Sequence, residues 1–254
     1  MSPAGIARRN YGSGHRYTLD GRDVPGVTTI LKTLDKPALI DWAANTTAAY
    51  AIDHWAELAD MSPSERLNTL KGARWGENRR AIKRGHSVHE LAERLAAGDE
   101  VDVPDELAGH VEAYVRFLDE WDPEVMLSET VVGSRRYRYG GTLDLLARVG
   151  DGRVWLFDVK TGGKGVFGET ALQLAAYARA DVYLDRHGDE QPMPAVDAIA
   201  AIHVRADGYS VRVPAPPIDE LHRLFAHLAA VHRGIGDMRD WFGDELAAPR
   251  AAAS

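Results

Sequence analysis

Cysteine is absent from all 254 residues, and this absence excludes several chemistries outright. Disulfides, thiolate nucleophiles, Cys-ligated zinc and iron–sulfur clusters all require it. A cysteine-free chain fits a reducing compartment. Long apolar runs are also missing: charges break the longest ones well short of a membrane span. The opening Met1-Ser2-Pro3-Ala4-Gly5 has no apolar signal core behind it. A cytoplasmic protein without a membrane partner is therefore expected. Positive charge is in deficit too, with a formal net charge of -8. That speaks against attraction of nucleic acid by the whole surface, but not against a local basic groove. It is compatible with an acidic metal site, whose carboxylates a bound cation offsets. No H-E-x-x-H occurs, and Gly162-Gly163-Lys164-Gly165 lacks the spacing of a phosphate-cradling G-x-x-x-x-G-K-[ST] loop. A loop beside a site, with Lys164 touching a substrate, is the better reading of that stretch.

What is present is an ordinary globular composition, 45% hydrophobic and 27% charged, enough to bury a core without cross-links. Tyr17-Thr18-Leu19, Asp20-Gly21 and Val24-Pro25 predict a hairpin. A short helix capped by Thr28 or Thr29 follows. From Pro37 to about Ala59 the pattern is helical, with Leu39, Trp42 and Ala43 on one face. Ser62 before Pro63 marks the next helix start. A longer helix is expected from Trp75 to Ala97, stopped at Gly98. Another runs from Pro104 through Leu118, with Leu107, Val111, Tyr114 and Leu118 on one stripe. Trp42, Trp55 and Trp75 are read as core. From Val125 the character changes. Val125–Val132, Tyr137–Arg148 and Arg153–Lys160 read as strands, the last two joined by Gly150-Asp151-Gly152. A helix over 169–183, strands at 198–205 and 209–213, and a helix over 218–233 complete the order. The expectation is an α/β fold with a helical N-terminal half on a C-terminal core.

Chemistry concentrates on the strands. Asp158 and Lys160 follow the apolar run Val154-Trp155-Leu156-Phe157, and alternation puts both on one strand face. Hairpin pairing brings Asp144, flanked by leucines, towards them. An Asp-x-Lys alone is common on solvated strands, but two charges ending a buried strand need a reason. Phosphodiester hydrolysis uses such a kit: hard oxygen ligands for Mg²⁺ or Mn²⁺, a cation that stabilises the phosphate and acidifies water, and an ammonium nearby. His86 and His89 share a helix face three residues apart. On the residues alone each reads more readily as structural than as a ligand.

Gly-Thr-Leu-Asp at 141–144, Phe-Asp-Val-Lys-Thr-Gly at 157–162 and Gln-Leu-Ala-Ala-Tyr at 173–177, with Arg84-Gly85-His86-Ser87-Val88-His89-Glu90 upstream, together resemble the PD-(D/E)XK nuclease superfamily. The likeness is to its RecB-like branch, phage-type exonucleases included, over roughly 85–213. Val24-Pro25-Gly26-Val27-Thr28-Thr29-Ile30-Leu31 also resembles the start of phage-encoded members. The resemblance implies a restriction-endonuclease-like core, a mixed central sheet flanked by helices, over 85–246. Residues 1–84 would then be a hairpin and helical elaboration, and 247–254 a frayed tail. It implies Asp144, Asp158, the Val159 carbonyl and His89 as metal ligands and Lys160 as the catalytic lysine. Gln173 and Tyr177 would contact the active site or the DNA backbone, and Glu129 would belong to an outer shell. Zero cysteines make this a cluster-free member.

The implied function is a Mg²⁺- or Mn²⁺-dependent deoxyribonuclease. It would be an exonuclease of recombination, repair or phage DNA metabolism, acting on linear duplex or single-stranded DNA in a bacterial or phage-infected cytoplasm. A recombination protein is a further expected partner. A structure-specific endonuclease of the same fold and a non-catalytic DNA-binding module are the alternatives. Arg79, Arg80, Lys83 and Arg84 precede His89, and Arg135, Arg136 and Arg138 precede Asp144. Both runs read as solvated faces or as phosphate contacts.

Overall fold

The computed structural model describes residues 5–12, 14–73, 75–96, 99, 101–163 and 165–245; the side chains at 38, 76–84, 86, 96 and 239 lie outside that description. Expectations at Lys164, Gly98 and the tail 247–254 fall outside the described residues.

A small antiparallel sheet opens the chain: β1 (Ile6–Tyr11), β2 (Gly14–Leu19) and β3 (Arg22–Val24). Asp20 and Gly21 make the β2–β3 turn, both with positive φ, as the D-G signal predicts. Then come α1 (Val27–Leu31), α2 (Pro37–Asp53), α3 (Trp55–Asp60), α4 (Pro63–Ala73), α5 (Trp75–Ala96) and α6 (Ala108–Trp121). The expected cap at Thr28 or Thr29 is not what is found. Both threonines lie inside α1, whose N-cap is Gly26. The stretch from 37 to 59 is helical, in two pieces separated at His54 between α2 and α3. Ser62 and Glu65 cap α4 reciprocally: the Ser62 amide and hydroxyl donate to Glu65 Oε2 at 3.1 and 2.6 Å, and the Glu65 amide donates to Ser62 Oγ at 3.4 Å. Trp55 and Trp75, read as core, are 71% and 47% exposed, and Leu39 is 53% exposed.

The larger sheet holds seven strands, in the order β10-β9-β6-β5-β4-β7-β8. They are β4 (Glu124–Ser134), β5 (Tyr139–Arg148), β6 (Val154–Lys160), β7 (Val182–Leu184), β8 (Glu190–Pro192), β9 (Ala198–Arg205) and β10 (Gly208–Arg212). β6 and β9 pair in parallel; the other neighbours are antiparallel. Two helices, α7 (Gly168–Ala178) and α8 (Ile218–Asp237), complete the chain. The helix expected to reach residue 183 stops at Ala178, and Val182–Leu184 becomes a strand paired with Val132 and Gly133 on one side and with β8 on the other.

Each face of the sheet carries its own core. On one, Leu143, Leu146 and Leu156 pack with Leu174 of α7, Phe225 of α8, and Val27, Ile30 and Leu31 of α1. On the other, Phe117 of α6 meets Phe157 of β6 edge-on at 5.4 Å, with Trp155, Val159 and Ile202 in the same cluster. Central β6 thus buries both faces, which explains its unbroken apolar run. Each such aromatic contributes about 1.5–3 kcal/mol by leaving water. The α6 stripe is Val111, Tyr114 and Phe117, preceded by Leu107 at its N-cap, and Leu118 is only half-buried. Leu107 and Val111 are those that reach α5, packing against its Val88 and Leu91, which fixes α5 beside the sheet. Among the described residues no helix is long and apolar enough to cross a membrane.

Candidate functional site

Asp144 sits where the central hairpin opens. The β5–β6 ladder pairs Leu145 with Phe157 and continues away from the site to Arg148 and Val154. One residue beyond Leu145, the Asp144 carboxylate takes over: Oδ2 accepts from the Val159 amide at 2.7 Å. Strand alternation also breaks here. Leu143 serves the α7–α8 core while Leu145 serves the α6 core, where a regular strand would keep them on one face. Across the β4 ladder, the pairs Ser128–Leu145 and Thr130–Leu143 place Glu129 opposite Asp144. Glu129 has φ +43, a left-handed conformation that costs a non-glycine residue about 1–2 kcal/mol. Strain of this kind collects where a side chain must be re-aimed for function.

The re-aimed carboxylate meets His89 of α5. His89 Nδ1 lies 3.6 Å from Glu129 Oε1 and 3.5 Å from Asp144 Oδ2. One donor atom from each of these three residues lies within 4.8 Å of the others. Asp158, expected beside Asp144 as a ligand, is outside this triad. Its buried carboxylate pairs with Lys160 Nζ at 2.6 Å and accepts from Gln173 Nε2 at 2.8 Å. Gln173 Nε2 also reaches the Tyr177 hydroxyl at 3.4 Å, and Lys160 Nζ lies 3.5 Å from Gln173 Oε1. For Val159 it is the amide that is engaged at the site, by Asp144.

α7 is seated by its small residues and by Tyr139, whose hydroxyl donates to the Ala176 carbonyl at 2.7 Å. That presents Gln173 and Tyr177, one turn apart, to the strand ends. The two glycines before Thr142 allow close approach. A Cβ at Gly141 would lie 2.3 Å from the Tyr177 ring, and one at Gly140 would lie 2.6 Å from Tyr17. The Tyr17 hydroxyl and Thr142 Oγ1 are 2.9 Å apart.

The acidic and basic groups of the site shift one another's ionisation. Burial, then the neighbouring Asp158 charge, raise the Asp144 pKa from 3.8 to about 7. Burial opposes the charged form of His89, but the carboxylates of Glu129, Asp144 and Asp158 outweigh it and hold the pKa up at about 9. Lys160 is likewise opposed by burial, yet Asp158 and Asp144 hold its pKa above the ordinary lysine value. Burial, with Asp158 next, pushes Tyr177 well up, so its phenol stays protonated. An imidazole and two carboxylates offer ligand atoms that could hold a metal ion.

These shifts set a pH dependence. Asp144 and His89 both have folded pKa values above their unfolded ones, so the folded state holds protons that the unfolded state releases. Stability from Asp144 is full below pH 3.8 and is lost as pH rises to about 7. Stability from His89 is lost between 6.5 and about 9. The metal-free protein is expected to melt at falling temperature across this window. Mn²⁺ should raise the melting temperature more at pH 8.5 than at pH 6, because binding competes with those protons. Thermal melts in chelator and in Mn²⁺ measure this; a metal effect that shrinks with pH would remove His89 and Asp144 from the ligand set.

The expected basic contacts divide. Arg135 meets protein carboxylates, with its guanidinium 3.0 Å from Asp20 and 2.8 Å from Glu190. Arg136 stacks 5.2 Å over Tyr137. Both, with Arg138, occupy the β4–β5 turn before Tyr139 rather than the strand segment that carries Asp144. Arg79, Arg80, Lys83 and Arg84 lie on α5, but their side chains, like that of His86, are outside the described part. Glu129 gave only a faint signal in the sequence, a charge inside an apolar strand. The left-handed turn that aims it gave none.

No family model matches the chain, and no curated protein matches it. Among solved structures, SSO0001 matches at 14% identity, covering 61% of this chain and 70% of its own, with a TM-score of 0.29; agreement that loose carries no argument.

Proposed function

We propose that this chain is a metal-dependent deoxyribonuclease of the PD-(D/E)XK type, RecB-like and exonucleolytic, acting on linear DNA in recombination, repair or phage DNA metabolism. The observation that carries the reading is the meeting of His89, Glu129 and Asp144 donors beside the Asp158–Lys160 pair. A mixed sheet flanked by helices, with Glu129 and Asp144 within β4 and β5 and with Asp158 and Lys160 at the end of β6, is compatible with a restriction-endonuclease-like core. His89, Glu129 and Asp144 would hold Mg²⁺ or Mn²⁺, which supplies charge stabilisation at a phosphate and a water of lowered pKa. Glu129 thereby takes the coordinating role that the resemblance gave to Asp158. Lys160 acts as an ammonium, neutralising charge that develops on the phosphate oxygens. Asp158 keeps Lys160 charged and in place, and Gln173 holds Asp158. Tyr177 accepts from Gln173, and its phenol does not ionise.

The test uses end-labelled linear duplex, single-stranded DNA and covalently closed circles, each with Mg²⁺, Mn²⁺ or chelator. Linear substrates are expected to be degraded to short products only with metal, while closed circles survive. Rapid linearisation of un-nicked circles would replace the exonuclease by a structure-specific endonuclease. Binding without any cleavage would leave a non-catalytic DNA-binding module.

A further inference from the structure

We infer that Arg8, on the N-terminal hairpin, is a substrate-binding residue that clamps the phosphate next to the scissile one; this rests on the nuclease reading above. Alternation along β5 defines the geometry. A Cβ at Gly141 would strike Tyr177 of α7, whereas one at Gly140 would strike Tyr17 of β2. Gly140 therefore looks away from α7, and the contacts of Thr142 with Tyr17 and of Asp144 with His89 put these two on the same side, facing the small sheet and α5. On that face Tyr17 lies over Gly140, Thr142 bonds to Tyr17 and Arg8, and Asp144 meets His89. Arg8 Nη1 donates to Thr142 Oγ1 at 3.3 Å. Thr142 and Asp144 are two strand residues apart, about 7 Å, a separation similar to that of neighbouring phosphates along an extended strand.

The guanidinium is held and available. Register pairs Arg8 with Tyr17 across β1 and β2, and Tyr17 is buried, so a fixed tyrosine and its threonine partner set the position of Arg8. Arg8 is exposed and makes no ion pair with a carboxylate among the described residues. The single bond to Thr142 uses one of five donors, leaving a fork suited to a phosphate. Arg135 is the contrast, because Asp20 and Glu190 already engage it. Arg9, next along β1 and opposite Arg16, points to the other face of the hairpin.

The experiment compares wild type with Arg8→Gln, Arg8→Lys and Arg9→Ala, all full-length. Arg8→Gln keeps a donor for Thr142 and removes only the charge. Steady-state cleavage of a labelled oligonucleotide should show KM raised at least about tenfold in Arg8→Gln, the loss of one charge-assisted contact, with kcat changed far less. Anisotropy of the same oligonucleotide in chelator should show the slope of log affinity against log salt falling by about one. Arg8→Lys should restore most of both, and Arg9→Ala should match wild type. Wild-type KM and salt slope in Arg8→Gln would overturn the inference, as would a loss equal in Arg9→Ala. Failure of the parent reading looks different: wild type itself would not cleave with any metal, and the anisotropy arm would still decide whether Arg8 binds phosphate. A wild type that binds no oligonucleotide overturns both.

Discussion

Asp144→Asn is expected to lower DNA cleavage by on the order of a thousandfold or more, since a ligand carboxylate secures several kcal/mol of transition-state stabilisation. Asparagine is the informative replacement. Its carbonyl can still accept from the Val159 amide, which Asp144 Oδ2 now does at 2.7 Å, so the strand opening keeps its shape. What disappears is the charge. Asp144 is partly buried beside Asp158, its side chain 13% exposed, with its pKa raised to about 7, and a partly buried carboxylate next to another is unfavourable to the metal-free fold above that pH. The variant should therefore melt no lower than wild type at pH 8 in chelator, while Mn²⁺ binding by calorimetry is lost. Sites built for function often sit at a local cost in stability of this kind. Wild-type turnover in a clean preparation of Asp144→Asn would sink the site assignment.

The second large effect is expected at Lys160. Lys160→Met should reduce kcat about a hundredfold to a thousandfold, the range for removing one preorganised stabilising group, while Mn²⁺ affinity stays near wild type. It should also destabilise the protein. Asp158 is 2% exposed in its side chain and pairs with Lys160 Nζ at 2.6 Å; leaving one partner of a buried pair alone costs about 3–5 kcal/mol, discounted here because the lysine side chain is 31% exposed. The double variant Lys160→Met/Asp158→Asn separates the two roles. Its melting temperature should recover and its turnover should not. If turnover recovers with stability, Lys160 only holds the strand ends together and takes no part at the phosphate.

Parts of this arrangement were legible in the sequence, because they depend on neighbours along the chain. The Gly150-Asp151-Gly152 turn sets β5 against β6, and alternation puts Asp158 and Lys160 on one face. Both follow from local backbone geometry. The Ser62–Glu65 cap and the α6 stripe are similarly local. The seat of Gln173 and Tyr177 on one side of α7 follows from helical spacing. Errors arose where a local pattern had competing continuations. Helical periodicity runs on past Ala178, but pairing with Val132 and Gly133 draws Val182–Leu184 into the sheet. Trp55 looked like core, yet nothing in the described fold covers it, and it is 71% exposed.

By itself, then, the sequence determined the chemistry that is excluded and the order and type of most elements. It also determined which acidic and basic groups end buried strands. Those properties are set by composition and by periods of two and 3.6 residues. Tertiary structure alone decided which groups meet. Glu129 joins His89 and Asp144 because a left-handed residue interrupts β4 opposite Asp144, and a positive φ in a non-glycine residue leaves no mark in an apolar pattern. Asp158 turns from Asp144 to Lys160 and Gln173 because a helix packed on the sheet offers it an amide. Arg8 reaches Thr142 across 134 residues of chain, and Arg135 is held by Asp20 and Glu190. Both outcomes depend on packing between distant segments, where sequence spacing carries no information about distance.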